Sequence, residues 1–172
     1  MKLKIRKANP EDAQAILDIH IKAWKDTYKN IFPEDYLSHL YSDSHDYANA
    51  IKKNEQKNKD NDNFYVAIVE DKIIGFCSFG ASKKDIKPLA GEIYALYVDK
   101  KYQGLGIGKA LFNQAKQELS QKYDEIIVSC LVKNDANEFY KKMNCTKIGN
   151  CNFLLDGKNY EENLYIVNLN CK

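Results

Sequence analysis

The 172-residue chain predicts one α/β (α+β) domain built on a mixed sheet. Three observations carry that prediction. Segments of strand and helix character follow one another in the order β-α-α-β-β-β-α-β-α-β-β. The composition, 44% hydrophobic, supplies a sizeable core at a length suited to one domain. No repeat, linker or low-complexity tail divides residues 1–172.

Residues 2–7 alternate charged and apolar side chains and read as a first strand. Asn9-Pro10-Glu11-Asp12 then offers an Asn N-cap, Pro at the first helical position and two acids in the first turn. The helix runs to about residue 28 and sets Ala13, Ile16, Leu17, His20, Trp24 and Tyr28 near one face. Phe32-Pro33-Glu34 breaks it, and a second helical region covers about residues 33–53, in one piece or two. A loop over 54–63 leads to a strand at 64–69, a turn at Glu70-Asp71-Lys72 and a strand at 73–79, forming a hairpin.

A polar loop containing Pro88 precedes a strand at 92–98. Residues 99–106 lead into an amphipathic helix over about 107–122, with Ile107, Leu111, Ala115 and Leu119 on one side. A strand at 126–132 follows, then a short helix at about 135–143 with Asp135 and Glu138 in capping-box spacing. The last strands, about 146–155 and 160–169, are joined by the hairpin signal Asp156-Gly157.

Composition excludes several function classes. A net charge of +2 demands no polyanionic partner, and the Lys/Asn-rich stretch 52–63 mixes both signs, as a solvated helix end and loop does. No nucleic-acid partner is expected. No stretch reaches the ~18 apolar residues of a membrane span, and the first residues lack the apolar core of a signal peptide. The five cysteines (Cys77, Cys130, Cys145, Cys151, Cys171) are odd in number and form no CxxC pair, which fits a reduced, cytoplasmic setting. His20, His39 and His45 show no metal-ligand spacing, so no metal is expected.

The chemistry concentrates in residues 92–111, where a strand enters a glycine-rich turn that opens a helix. Without a Cβ at Gly104, Gly106 and Gly108, backbone can approach a ligand closely. The helix N-terminus adds unpaired N–H donors and partial positive charge, which suit a phosphate, and Lys109 stands beside them. A Walker A loop fails, because its first Gly position holds Gln103 and Ala110 follows Lys109. The dinucleotide fingerprint GxGxxG fails as well, since counting from Gly104 its last position is Lys109.

What remains is Gln103-x-x-Gly106-x-Gly108 after the strand Ala95-Leu96-Tyr97-Val98, with Asn134 and Phe139-Tyr140 further on. This pattern resembles the acyl-CoA-binding motif of the GNAT N-acetyltransferase superfamily. The resemblance covers most of the chain. It implies a mostly antiparallel sheet of about seven strands flanked by about four helices, with the strand at 92–98 splayed from the next so that acetyl-coenzyme A enters the gap. It also implies that backbone of Leu96, Tyr97 and Val98 binds the pantetheine arm. Backbone N–H groups over Gln103, Gly104, Leu105, Gly106, Ile107, Gly108 and Lys109 would hold the pyrophosphate, and Asn134 would contact the arm. Relatives often have Gly-Phe where this chain has Asn144-Cys145; Asn tolerates the left-handed helix stop that Gly provides.

The resemblance implies an N-acetyltransferase that moves an acetyl group from acetyl-CoA to a primary amine by direct attack in a ternary complex. The acceptor (polyamine, amino-sugar, amino acid or protein N-terminus) stays open, and a homodimer is the assembly common among such proteins. The alternative is a non-catalytic acyl-CoA-binding regulatory domain. Tyr140 is either a core aromatic or the acid that protonates the departing thiolate. Glu92 is either a strand-end charge or the base that takes the ammonium proton, directly or through water. His20 beside Trp24 reads as a packed core histidine. Trp24, Tyr28, Glu34, Asp35 and Tyr36, in the first two helices, would wall the acceptor site and meet a cationic amine. Cys130, inside a strand without a paired base, reads as a buried thiol.

Overall fold

The computed structural model describes residues 2–38, 48, 49, 51, 52 and 63–169. Strand β1 spans Leu3–Lys7. A 3-10 turn at Pro10–Asp12 then leads into helix α1, Ala13–Tyr28, and the short α2 covers Glu34–Ser38. Strands β2 (Asn63–Val69), β3 (Lys72–Ala81) and β4 (Gly91–Val98) precede helix α3, Ile107–Leu119. The chain continues with β5 (Glu125–Leu131), α4 (Ala136–Lys142), β6 (Thr146–Leu155) and β7 (Lys158–Asn168). Of the expected second helical region, residues 34–38, 48, 49, 51 and 52 are helical and Pro33 is not; the rest of it, most of the expected loop, His39, His45 and Cys171 lie outside the described residues.

The seven strands form one sheet in the order β1-β2-β3-β4-β5-β7-β6. Among the described residues, only β4 and β5 run parallel to each other. Helix α1 covers one face, where Ile16 and Ile19 meet Phe64, Val66 and Phe76. Helix α3 covers the other, where Leu111, Phe112 and Ala115 meet Ala67, Cys77 and Phe79. Alternate residues of β2 thus feed opposite cores, as the two-residue strand period requires. Strand β3 is buried from Ile74 to Gly80, consistent with a run of apolar residues that does not alternate.

Local chemistry explains the turns. Asp12 accepts a 2.8 Å hydrogen bond from the Asn9 N–H, which closes the first turn ahead of α1. Both hairpins carry left-handed pairs: Glu70 and Asp71 at φ 49° and 60°, Asp156 and Gly157 at φ 46° and 71°. Asn144 takes φ 61° after α4, and the Cys145 N–H reaches back to the Tyr140 carbonyl at 3.1 Å.

Two local expectations need correction. Helix α3 stops at Leu119 rather than near Lys122, because the N–H groups of Lys122 and Tyr123 both turn back to the Leu119 carbonyl. Asp135 makes no side-chain cap at α4. Asn134 does so instead, its Oδ1 accepting the Ala136 N–H at 2.8 Å, while Glu138 is drawn to Lys141 at 2.6 Å. Asparagine caps as well as aspartate does, and the competing ion pair removes Glu138 from the box.

Among the described residues no helix is long and apolar enough to cross a membrane, and no group of His, Cys, Asp and Glu is placed to hold a metal ion. Cys77, Cys130, Cys145 and Cys151 are free thiols.

Candidate active site

Strands β4 and β5 pair only from Gly91–Ile126 to Ile93–Val128. Beyond that point the sheet splits. On its other edge β4 carries an irregularity against β3, where Ser78 faces Ala95 and Phe79 faces Ile93, leaving Tyr94 as the extra residue. A bulge sharpens local twist and turns a strand away from its neighbour. The Tyr94 hydroxyl donates to the Ala81 carbonyl, and the Lys83 ammonium lies 3.8 Å from its ring centroid, which fixes the bend. The split opens into a cavity of about 1080 Å³, lined by Tyr94–Val98, Val128–Leu131 and residues of the glycine turn, α1 and α4.

One end of the cavity is backbone. The Gly104 and Gly106 φ angles are 78° and 81°, in the left-handed region, and Gly106 is the N-cap of α3. A Cβ at either position would meet no protein atom within 4 Å but would be strained. The Ala110 N–H is the first to close a helical bond, onto the Gly106 carbonyl at 3.0 Å, so the donors of Ile107, Gly108 and Lys109 have no partner within the helix. Gln103 holds the turn to its strand, donating from Nε2 to the Val98 carbonyl at 3.0 Å, and its own N–H is directed to the Lys100 carbonyl at 3.3 Å. Its backbone donor is therefore already engaged, unlike those that follow. Gln103, Gly104, Gly106, Gly108 and Lys109 line the cavity. Leu105 and Ile107 do not: the Leu105 side chain is 55% exposed, and Ile107 is buried in the core. Lys22 on α1 binds Asp99 at 2.8 Å and fastens the helix to the start of the turn.

A polar relay crosses the middle. Trp24 Nε1 donates to the Tyr97 hydroxyl at 2.8 Å, Tyr97 and Tyr28 share a hydrogen bond, and Asn134 Nδ2 donates to the Tyr28 hydroxyl at 3.2 Å. Burial raises both phenols above their ordinary range, so they stay protonated near neutral pH. His20 stacks on Tyr97 at 5.0 Å, and burial pulls its imidazole down to about 4. It sits in the aromatic core, as a packed histidine does.

Tyr140 is 7% exposed and lines the cavity, and no hydrogen bond to its hydroxyl is found among the described residues. Burial pushes the phenol well above its ordinary value. Its helix is anchored by Asn137, which donates to the carbonyls of Leu131 (2.9 Å) and Asn134 (2.6 Å) and accepts from Asn163 (2.8 Å) and Tyr165 (2.9 Å). Cys130 also lines the cavity, but burial pushes its thiol up to about 12, far from a reactive thiolate.

The far end is made of side chains. Trp24 and Tyr28 line it together with Phe32 and Phe153, and Leu131 packs among them. Trp24 stacks on Phe32 at 5.6 Å. Tyr36 supports this group from behind, 6.4 Å from Trp24 and 6.0 Å from Phe32, without lining the cavity. Glu34 and Asp35 are exposed in the first turn of α2 and do not line it either, because the buried side of that short helix is carried by Tyr36 and Leu37.

Two carboxylates share the corresponding face of the sheet. Glu92 is buried and accepts the Lys83 N–H at 2.7 Å, and it does not line the cavity. Burial raises its carboxyl above the usual range, against the pull of that N–H and of Lys84 and Lys83. Glu162 does line the cavity, 3.4 Å from the Lys84 ammonium. Phe32, Phe153 and Glu162 escape the sequence reading. A signal existed for Glu162, which shares strand parity with the fully buried Leu164.

A split parallel pair beside a glycine turn, ending in a helix N-terminus with free donors, defines a binding fold for an extended ligand with phosphate at one end. A family model described as an acetyltransferase (GNAT) domain matches residues 60–144. An uncharacterised N-acetyltransferase of Bacillus subtilis, YuaI, is 29% identical over 162 residues, 92% of this chain and 88% of its own length. A spermidine N(1)-acetyltransferase of Thermoplasma acidophilum is 24% identical over 125 residues, 71% of this chain and 73% of its own. The crystal structure of the PaiA N-acetyltransferase from Thermoplasma acidophilum, in complex with coenzyme A, superposes with a TM-score of 0.72 at 24% identity, covering 95% of this chain and 98% of that one. The chain belongs to the GNAT acetyltransferase superfamily, enzymes that transfer acetyl from acetyl-CoA to an amine.

Proposed function

We propose that this chain acetylates a primary amine by direct attack in a ternary complex, with acetyl-CoA laid in the split between β4 and β5. The observation that carries this reading is the continuity of the cavity from the Gly104–Lys109 turn, past Tyr140, to the aromatic wall and Glu162. The site fits the cosubstrate by its donors: the free N–H groups at the start of α3 face anionic oxygens, with Lys109 adding charge.

Acetyl-CoA supplies the activated carbonyl and the thiol leaving group. Backbone of Leu96 on the splayed half of β4 hydrogen-bonds the arm; the backbone of Tyr97 is turned to Phe76 of β3, in step with the Asp99 N–H bond to the Ile74 carbonyl, and the Val98 carbonyl is held by Gln103. Asn134 divides its amide between capping α4 and binding Tyr28, so it ties the arm's binding surface to the acceptor wall. Tyr140 delivers its proton to the sulfur, and burial ensures that the phenol carries that proton at neutral pH. Glu92, raised by burial, takes the proton of the amine through water. Trp24 and Tyr28 bound the acceptor, and Tyr36 braces them.

Acetyl-CoA turnover measured by thiol release against a broad panel of amines tests this reading. Amine-dependent release with at least one acceptor is expected. Tight acetyl-CoA binding with no release on any amine would assign the fold to a regulatory binding domain instead.

A further inference from the structure

Glu162 stands on β7 directly opposite Leu131 of β5, whose side chain packs with Trp24, Tyr28 and Phe32. Antiparallel partners point to the same face, so the carboxylate is brought under the aromatic wall. It is only 9% exposed. Both of its recorded contacts use one oxygen: Oε2 is 3.4 Å from the Lys84 ammonium and accepts from the Cys151 thiol at 3.6 Å. No hydrogen bond to Oε1 is found among the described residues. Glu162 lines the cavity, and Oε1 is not one of the atoms sealed away without a partner, so it is the oxygen a ligand in the cavity can reach.

The rest of the cavity separates by charge. Asp99 is paired with Lys22 next to the glycine turn, Asp135 adjoins Asn134 on the α4 side, and Asp26 lies on the exposed side of α1. Among the described residues, Glu162 is the one acidic side chain that lines the aromatic end, where Trp24, Tyr28, Phe32 and Phe153 line the same cavity. Aromatic faces attract a cation and also bury an apolar body.

We propose that Glu162 Oε1 receives the acceptor's ammonium and that the acceptor is a monoamine with an apolar body, of the arylalkyl or alkyl class, packed against Trp24, Phe32 and Phe153. This rests on the acetyltransferase reading for its turnover but not for its binding. A polyamine would carry further ammonium groups into an aromatic wall that no second carboxylate lines among the described residues. Lys84 neutralises the empty carboxylate and is the charge that the bound amine competes with.

The chain has one tryptophan, Trp24, whose emission reports on the pocket itself. Phenethylamine titrated into the coenzyme A-saturated protein should change that emission. In Glu162→Gln the apparent Kd should rise about 10–100-fold, the span for losing a charged hydrogen bond, with coenzyme A affinity within about twofold of the parent by calorimetry. Glu162→Asp, which keeps the charge and shortens the reach, should fall between the two and serves if the Gln variant does not fold. Lys84→Met should bind phenethylamine as well as the parent or better; a loss as large as that of Glu162→Gln would show that Glu162 only positions Lys84. Parent-like binding in Glu162→Gln overturns the assignment, as does a higher kcat/KM for spermidine than for phenethylamine. Absence of turnover with every amine would sink the acetyltransferase reading alone, because the Trp24 titration still decides the role of Glu162.

Discussion

At the glycine-turn end of the cavity the lining comes mainly from one stretch within residues 94–109, with Phe139 of α4 beside Gly108, and its phosphate-binding donors are backbone. At the acceptor end the lining groups come from Trp24 and Tyr28 of α1, Phe32, Leu131 of β5, Phe153 of β6 and Glu162 of β7, and all are side chains. The first end requires particular backbone angles, which only glycine and a helix start provide cheaply. The second requires shape and charge, which many residue combinations supply. A family can therefore keep the first fixed while the second changes its substrate. Tyr140 stands between the two, and the largest expected effect is there.

In the transition state negative charge builds on the departing sulfur, and a hydroxyl near it binds that charge more strongly than the neutral thioester. Tyr140→Phe removes the oxygen and keeps the ring that packs 5.3 Å from Phe139 and 6.0 Å from Tyr165. Turnover should drop about 10²–10⁴-fold, with coenzyme A affinity and amine-induced Trp24 emission unchanged by direct titration. Parent-like turnover would reject the acid role. A loss confined to coenzyme A affinity would move Tyr140 from the junction to the cosubstrate end.

Gly106→Val tests that end by itself. A β-branched residue at φ 81° is strained by about 1–3 kcal/mol, and relief of that strain would displace the donors of Ile107 and Gly108. Coenzyme A affinity should fall about 10–100-fold, the scale of that strain energy, in a protein that still melts cooperatively. Unchanged affinity in a folded variant would remove the phosphate-binding role of the turn.

How much of each end could be read from the sequence follows from the same contrast. Gly104, Gly106 and the start of α3 were legible because a left-handed turn and a helix N-terminus are local events with local residue signatures. The element order was legible for the same reason. The split of β4 from β5 was not readable in the residue pattern, since the bulge at Tyr94 depends on Ala81 and Lys83 across the hairpin; only the resemblance implied it. Trp24 and Tyr28 were found because they share a helical face. Only the resemblance set Glu34 beside them, and the short α2 leaves it exposed and away from the cavity lining. Glu162 and Phe153 join the wall only through pairing of β5, β7 and β6, and the β5–β7 pairing joins residues far apart in the chain.

The aromatic wall also has a pH limit. His20 stacks on Tyr97 and meets Trp24 edge-on at 5.5 Å. Burial holds its imidazole at about 4, below the ordinary 6.5. The unfolded chain therefore binds a proton as pH falls through about 6.5, while the native state stays neutral until about 4. Stability attributable to this group is complete above the unfolded value and declines on acidification between the two. From pH 7 to 5 the parent should lose about 2 kcal/mol more than His20→Gln in urea unfolding. Parallel pH dependence in the two proteins would mean that His20 is charged or solvated in the native wall.

The smallest expected effect separates the two carboxylates of the acceptor end. Glu92 does not line the cavity, and one of its oxygens is held by the Lys83 N–H. A proton acceptor so placed works through water, so its loss costs less than the 10²–10⁴-fold of a directly placed base, about tenfold at pH 7. Glu92→Gln keeps the hydrogen bond from Lys83 and cannot take a proton. Because burial raises the Glu92 carboxyl, the acidic limb of the parent's kcat profile should lie above the usual carboxylate range and should vanish in the variant. Turnover of the variant should recover at high pH, where more of the amine is already neutral. KM for the amine should stay near the parent's, in contrast to Glu162→Gln, where KM rises. Overlaid pH–rate profiles would make Glu92 a structural anchor of the 82–90 loop and leave Glu162 as the carboxylate that both binds the ammonium and accepts its proton.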